Sequence, residues 1–107
     1  MRSVTAPELA AWLAEAGDRP PLLLDVREPW EVALASLPGA TLIPMGKITA
    51  SLDSLDPERP TVCVCHHGAR SMQVGMYLEQ RGFSDVVNLT GGIHAWSEQV
   101  DPAVRTY

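Results

Sequence analysis

Short, almost unbroken apolar runs alternate with stretches of helical periodicity along this chain, and that alternation leaves few folds open. Leu22-Leu23-Leu24-Asp25-Val26 follows Pro20-Pro21 with too little polar alternation for a half-exposed strand, so a buried parallel strand is expected. Thr41-Leu42-Ile43 reads as a short strand closed by Pro44. Thr61-Val62-Cys63-Val64-Cys65, β-branched and apolar throughout, is the strongest strand signal, and Val86-Val87-Asn88-Leu89 is another. Helical patterns separate them. Thr5-Ala6-Pro7-Glu8 has the form of a capping box, opening a helix through Leu9, Trp12, Leu13 and Ala16 that stops at Gly17. Glu28-Pro29-Trp30-Glu31 opens a second, short helix with Pro in the first turn, and Leu37-Pro38-Gly39-Ala40 breaks it. Residues 47–55 read as a short helix or turn, and 56–60 as an acidic, Pro-bearing surface loop. Ser71 begins a helix with Val74, Tyr77 and Leu78 on one face, ending at Gly82. Gly91-Gly92 turns the chain into a last helix carrying Ile93 and Trp96, and residues 101–107 look irregular. Strands separated by helices imply βαβ units: an α/β fold, a mostly parallel sheet, and helices on both faces.

A chain of 107 residues fits a single domain over its whole length. At 46% hydrophobic and 20% charged residues it can bury a core, which argues against disorder. The net charge of −5 argues against nucleic acid or an anionic membrane as the main partner. Two cysteines cannot build a disulfide framework. The start has no apolar run like a signal peptide's, and no stretch approaches the roughly 20 apolar residues of a membrane span. A reducing, cytoplasmic setting is therefore expected.

In parallel sheets ligands sit beyond the carboxyl ends of the strands, often at a helix N-terminus. That rule points to the segment after Cys65. Consecutive backbone N–H groups in a strand-to-helix turn form an anion-binding cradle, and the helix end adds positive potential. A cysteine there is set up as a nucleophilic thiolate. The duller alternative is a half-buried structural cysteine. Position, Gly68 and Arg70 together favour the reactive thiol.

Cys65-His66-His67-Gly68-Ala69-Arg70-Ser71 resembles the C-x-x-G-x-R-S active-site loop of single-domain rhodaneses. Three further segments agree. Asp25-Val26-Arg27-Glu28 is similar to the family's D-V-R-E, and Leu37-Pro38-Gly39-Ala40 to its I-P-G-A. Gly82-Phe83, Val86 and the run Leu89 to Trp96 are similar to its G-F…V…L-x-G-G-I-x-x-W ending. The four segments fall in the family's order between residues 25 and 96. One departure is visible: Ser36 stands where the family often has His, away from the cysteine in sequence and so expected to bear on packing more than chemistry.

The resemblance implies a rhodanese-like, five-stranded sheet and sulfane-sulfur transfer through Cys65, with no metal or organic cofactor. In the implied two-step mechanism, the Cys65 thiolate attacks the outer sulfur of a donor such as thiosulfate and sulfite leaves. An acceptor such as cyanide or a thiol then removes the outer sulfur from the persulfide. His66, His67, Gly68, Ala69, Arg70 and Ser71 form the cradle, and Asp25 and Arg27 support it from behind. The implied partners are a small-molecule sulfur donor and acceptor, or an acceptor protein. Oligomeric state is not legible.

Several residues carry two readings. Gly68 is expected to adopt a backbone conformation that opens the loop. Arg70 either binds the anionic donor or pairs with Asp25 or Glu28 and holds the loop; a carboxylate at the end of the neighbouring strand favours the holding role. His66 and His67 either tune charge with pH or are polar loop residues. His94 is expected at the surface. Cys63, two residues before Cys65 and so on the same strand face, is expected in the core. Cys63, Cys65, His66 and His67 are metal-ligand types, yet four ligands crowded into five residues lack the usual two separated turns, so zinc is not expected. Trp12, Trp30 and Trp96 are expected to pack helices on the sheet.

Two rival functions remain open. Related oxyanion enzymes, the phosphatases and arsenate reductases, use C-x5-R. That register reaches Ser71 from Cys65 and Ala69 from Cys63, neither of them Arg, while the shorter C-x4-R loop present here suits one sulfur atom rather than a phosphate. The other rival is a persulfide carrier or a non-enzymatic binding module.

Overall fold

The computed structural model describes residues 1–107 and turns the alternation into a five-stranded, all-parallel sheet. The strands are β1 (Arg2–Val4), β2 (Leu22–Asp25), β3 (Thr41–Leu42), β4 (Thr61–Val64) and β5 (Val86–Leu89), in the spatial order β1-β5-β4-β2-β3. The helices are α1 (Ala6–Glu15), α2 (Pro29–Leu34), α3 (Ile48–Ser51), α4 (Ala69–Gln80) and α5 (Gly92–Gln99). Short 3-10 turns at Met45–Lys47 and Leu52–Ser54 flank α3. No helix is long and apolar enough to cross a membrane.

β4 lies in the middle, with Cys63 level with Leu24 of β2 and Asn88 of β5. Strand alternation sends its side chains to two separate cores. Val62 and Val64 join Leu9 of α1 and Ile93 and Trp96 of α5. Cys63 and Cys65 join Ile48 of α3 and Val74 and Leu78 of α4. The expected packing of helices on both faces is therefore present, and both cysteines do share one face.

Local signals explain most boundaries. At α1 the Glu8 amide donates to Thr5 Oγ1 at 3.2 Å, and the Thr5 amide to the Glu8 carboxylate at 2.8 Å, closing the capping box. Helix α4 starts at Ala69 rather than Ser71, because Gly68 takes the cap position with φ of 112°. Strand β1 carries only one buried residue, Val4, and is held by backbone pairing to β5, so no apolar pattern announces it. Trp30 departs from the expected packing role: it is 62% exposed and meets Tyr107 edge to face.

Candidate active site

Cys65 is the first residue past β4, and its side chain is 1% exposed. The chain then turns through His66 and His67 into the Gly68 cap. That turn folds the Gly68 amide back onto the cysteine, donating to Sγ at 3.0 Å. The amides of His66, His67, Ala69 and Arg70 donate to no protein group. The loop thus presents a set of uncommitted N–H donors at the N-terminus of a 12-residue helix.

Ser71 lines the same spot from the first turn of α4. Its hydroxyl lies 3.3 Å from Cys65 Sγ, 3.1 Å from the Gly68 carbonyl and 2.5 Å from Asn88 Oδ1. One hydroxyl has one proton, so it serves one of these acceptors at a time. Donating to Asn88 or Gly68, it can accept from the Cys65 thiol; turned to Cys65, it stabilises a negative sulfur. Asn88 Nδ2 also donates to the Gly68 carbonyl at 3.3 Å, tying β5 to the loop. The expectations for residues 65–71 did not extend to Asn88, whose only sequence signal is a polar residue in a strand that is otherwise apolar.

The thiol of Cys63, by contrast, is pushed up to about 12, first by burial and then by the nearby Cys65. It stays a neutral core group.

Arg70 does not pair with Asp25 or Glu28. Its guanidinium forks onto Glu31 of α2, with Nη1 2.5 Å from Oε1 and Nη2 2.8 Å from Oε2. This corrects the expected partner while keeping the holding geometry. Glu31 is buried, and the Arg70 hydrogen bond is the main cause that lowers its carboxyl from an ordinary 4.5 to about 2. The same carboxylate accepts from the Glu28 amide at 3.1 Å and from the Tyr107 hydroxyl at 2.6 Å.

Asp25 is unavailable to Arg70 because Arg27 occupies it. Arg27 is fully buried, a costly place for a charge unless every donor is met. Here all five N–H groups find acceptors: both Asp25 oxygens, the carbonyls of Glu31 and Ala35, and the Tyr107 hydroxyl. An unbroken chain of contacts therefore runs Asp25–Arg27–Tyr107–Glu31–Arg70. Asp25 and Arg27 reach Arg70 through Glu31, by way of the Tyr107 hydroxyl and of the Glu31 carbonyl. Tyr107 lies in the segment that looked irregular in sequence, and nothing there marked it.

The two loop histidines lie at the rim. The His66 ring is stacked between His67, at 4.1 Å between centroids, and Tyr107, at 4.0 Å. Burial is the main cause that lowers the His66 imidazole below its usual range, with His67 adding to it. His94, expected at the surface, is half-buried with its ring centroid 5.0 Å from that of His67. It is brought there by the start of α5. The Ile93 amide donates to the Cys65 carbonyl at 2.9 Å, and the His94 amide to the His66 carbonyl at 3.1 Å. Gly92 makes this approach possible: a Cβ there would overlap the carbonyl oxygens of both Cys65 and His66.

The model of the rhodanese-like domain family matches residues 5–99. The chain belongs to that family. A sulfurtransferase from Allochromatium vinosum is 36% identical over 104 residues, covering 97% of this chain and 95% of its own length. The rhodanese-like/PpiC domain-containing protein 12 of Arabidopsis thaliana, a chloroplastic protein, is 47% identical over 89 residues, 79% of this chain, but this chain spans only 30% of its length. Among solved structures, a rhodanese-like domain protein from Staphylococcus aureus superposes with a TM-score of 0.85 at 38% identity, covering 100% of this chain and 99% of its own. The expected rhodanese fold is thus present, with helices on both faces of the sheet.

Proposed function

We propose that this rhodanese-like chain is a sulfurtransferase that carries sulfane sulfur as a persulfide on Cys65. The observation that carries the reading is one sulfur at a strand end, touched by a single loop amide and the Ser71 hydroxyl, beside four uncommitted amides. The naming of the Allochromatium relative as a sulfurtransferase supports the reaction class.

The thiolate of Cys65 attacks the outer sulfur of a donor such as thiosulfate. The donor's S–S bond breaks, sulfite leaves with the electron pair, and a new S–S bond forms at Cys65. The outer sulfur now bears the negative charge, and the free amides of the loop are its natural partners. A thiophilic acceptor, cyanide or a thiol, then attacks that outer sulfur, and the Cys65 thiolate is released. Ser71 turns its proton to whichever sulfur is charged.

In this reading Arg70 is a positioning residue. One N–H of each terminal nitrogen is given to Glu31, and this fork fixes the first turn of α4. Asp25 and Arg27 frame α2 behind it. The loop keeps the short C-x4-R register, which suits a single sulfur better than a phosphate.

The test is intact-protein mass after brief exposure to thiosulfate. The expected result is a gain of one sulfur atom, reversed by cyanide and absent in Cys65→Ser. A gain that persists in Cys65→Ser would place the chemistry elsewhere. No gain from thiosulfate or from any other sulfane donor would leave the fold as a binding module.

A further inference from the structure

We infer that His66, His67 and His94 form a site for a borderline divalent transition metal, with Zn2+ as its simplest occupant. Their ligand atoms all lie within 4.8 Å of one another. Two come from the loop after β4 and the third from the first turn of α5. That second chain segment is what the crowded run Cys63–His67 lacks by itself. The segments are locked together by backbone, since the His94 amide donates to the His66 carbonyl.

The ring nitrogens themselves point to a cation. His94 Nε2 pairs with the Glu98 carboxylate one turn on, which places the ring proton there and leaves Nδ1 as a lone pair. That Nδ1 is buried with no hydrogen-bond partner, and so is His66 Nε2. A buried polar atom left unmet is destabilising, so two such atoms in one cluster stand out. A metal ion bound through these two nitrogens would meet both. The carboxylate behind His94 is the outer partner that orients a metal-bound imidazole.

Closing the site takes rotation of the imidazole rings. Zinc holds nitrogen at about 2.0–2.1 Å, so tetrahedral ligands sit about 3.3 Å apart. From a spread of 4.8 Å, the exposed His67 ring has to leave its stack on His66, and the His66 and His94 rings have to turn towards each other, for the three lone pairs to converge. Three imidazoles with no oxygen ligand suit Zn2+, Ni2+ or Cu2+ rather than Mg2+ or Ca2+, and the fourth position stays open to water. The charges facing the cluster are Glu98, Glu31 and Arg70, of which Arg70 is already neutralised by Glu31. Cys65 is not a member: its side chain packs with the α4 core, whereas α5 packs on the opposite face of the sheet.

The test is a calorimetric titration of the reduced protein with Zn2+, followed by the visible spectrum with Co2+ in its place. No sulfur donor is present, so the result is independent of the persulfide measurement. The expected result is one Zn2+ per chain, affinity lowered at least about 10-fold in both His94→Gln and His67→Ala, and no change in Cys65→Ser. Co2+ should show ligand-field bands without an intense thiolate charge-transfer band. His67 is exposed and its side chain makes no hydrogen bond, so its replacement should leave the fold intact, as the far-UV circular dichroism checks, and that variant decides the matter even where His94→Gln unfolds. Absence of binding, full binding in His67→Ala, or loss in Cys65→Ser would each overturn the assignment.

Discussion

Cys63 and Cys65 lie on one strand, face one core and are equally shut off from solvent, at 0% and 1% exposure. Their surroundings differ in kind. Cys63 sits within the ladder, level with Leu24 and Asn88, and its thiol is pushed up to about 12 by burial. Cys65 sits one residue beyond the last rung, where the chain turns and returns an amide to its sulfur at 3.0 Å. Burial alone makes a thiol inert. What separates the two is the end of the strand, because only there are backbone donors released from the sheet.

The sharpest way to break the comparison is to exchange the roles. Cys65→Ser should abolish persulfide formation and lower turnover by on the order of 10⁴ or more, measured as thiocyanate produced from thiosulfate and cyanide. Equal activity in the variant would remove the distinction between the cysteines. Gly92→Ala comes next, because its methyl group would collide with the carbonyls that shape the Cys65 turn. With a positive φ of 60° added, the loss of stability should be roughly 2–4 kcal/mol by denaturant unfolding, with turnover falling in the folded fraction.

Glu31→Gln tests the brace rather than the sulfur. It should cost roughly 1–3 kcal/mol and lower kcat through the loosened first turn of α4. A pH series adds a second readout. The folded carboxyl, held at about 2 against an ordinary 4.5, keeps its charge at lower pH than the unfolded chain does. Its contribution is therefore complete above about 4.5 and lost as the pH falls towards 2. The wild-type melting temperature should fall more steeply across that window than the variant's; parallel curves would mean that Arg70 is braced by something else. Cys63→Ser should have the smallest effect on chemistry, leaving most turnover while placing a hydroxyl in an apolar site at roughly 1–3 kcal/mol.

The legible parts of the molecule were those written in local pattern. Apolar runs located β2, β4 and β5, and the Thr5–Glu8 spacing located the start of α1, because these depend on neighbours in the chain. The loop from Cys65 to Ser71 was legible for the same reason: its shape follows from a strand end, a glycine and a helix start. What escaped depends on residues far apart in sequence. Glu31 meets Arg70 across 39 positions, and Tyr107 meets Arg27 across 80. No local pattern carries such pairings. His94 looked like an ordinary surface residue because its burial comes from the docking of α5 onto the loop, not from the composition of the helix. Strand β1 escaped because pairing with β5, rather than apolar content, holds it.

The hydrogen bonds from Ile93 and His94 to the carbonyls of Cys65 and His66 also set an order of events at the ribosome. β4 and its cysteine emerge first, followed by α4 and only then by the turn at Gly91-Gly92. Until that turn docks, the two carbonyls face water and the Cys65 turn has only half of its frame. A nascent chain therefore carries its thiol before it carries the support that shapes it, and the Cys65 turn is completed only once α5 has been made.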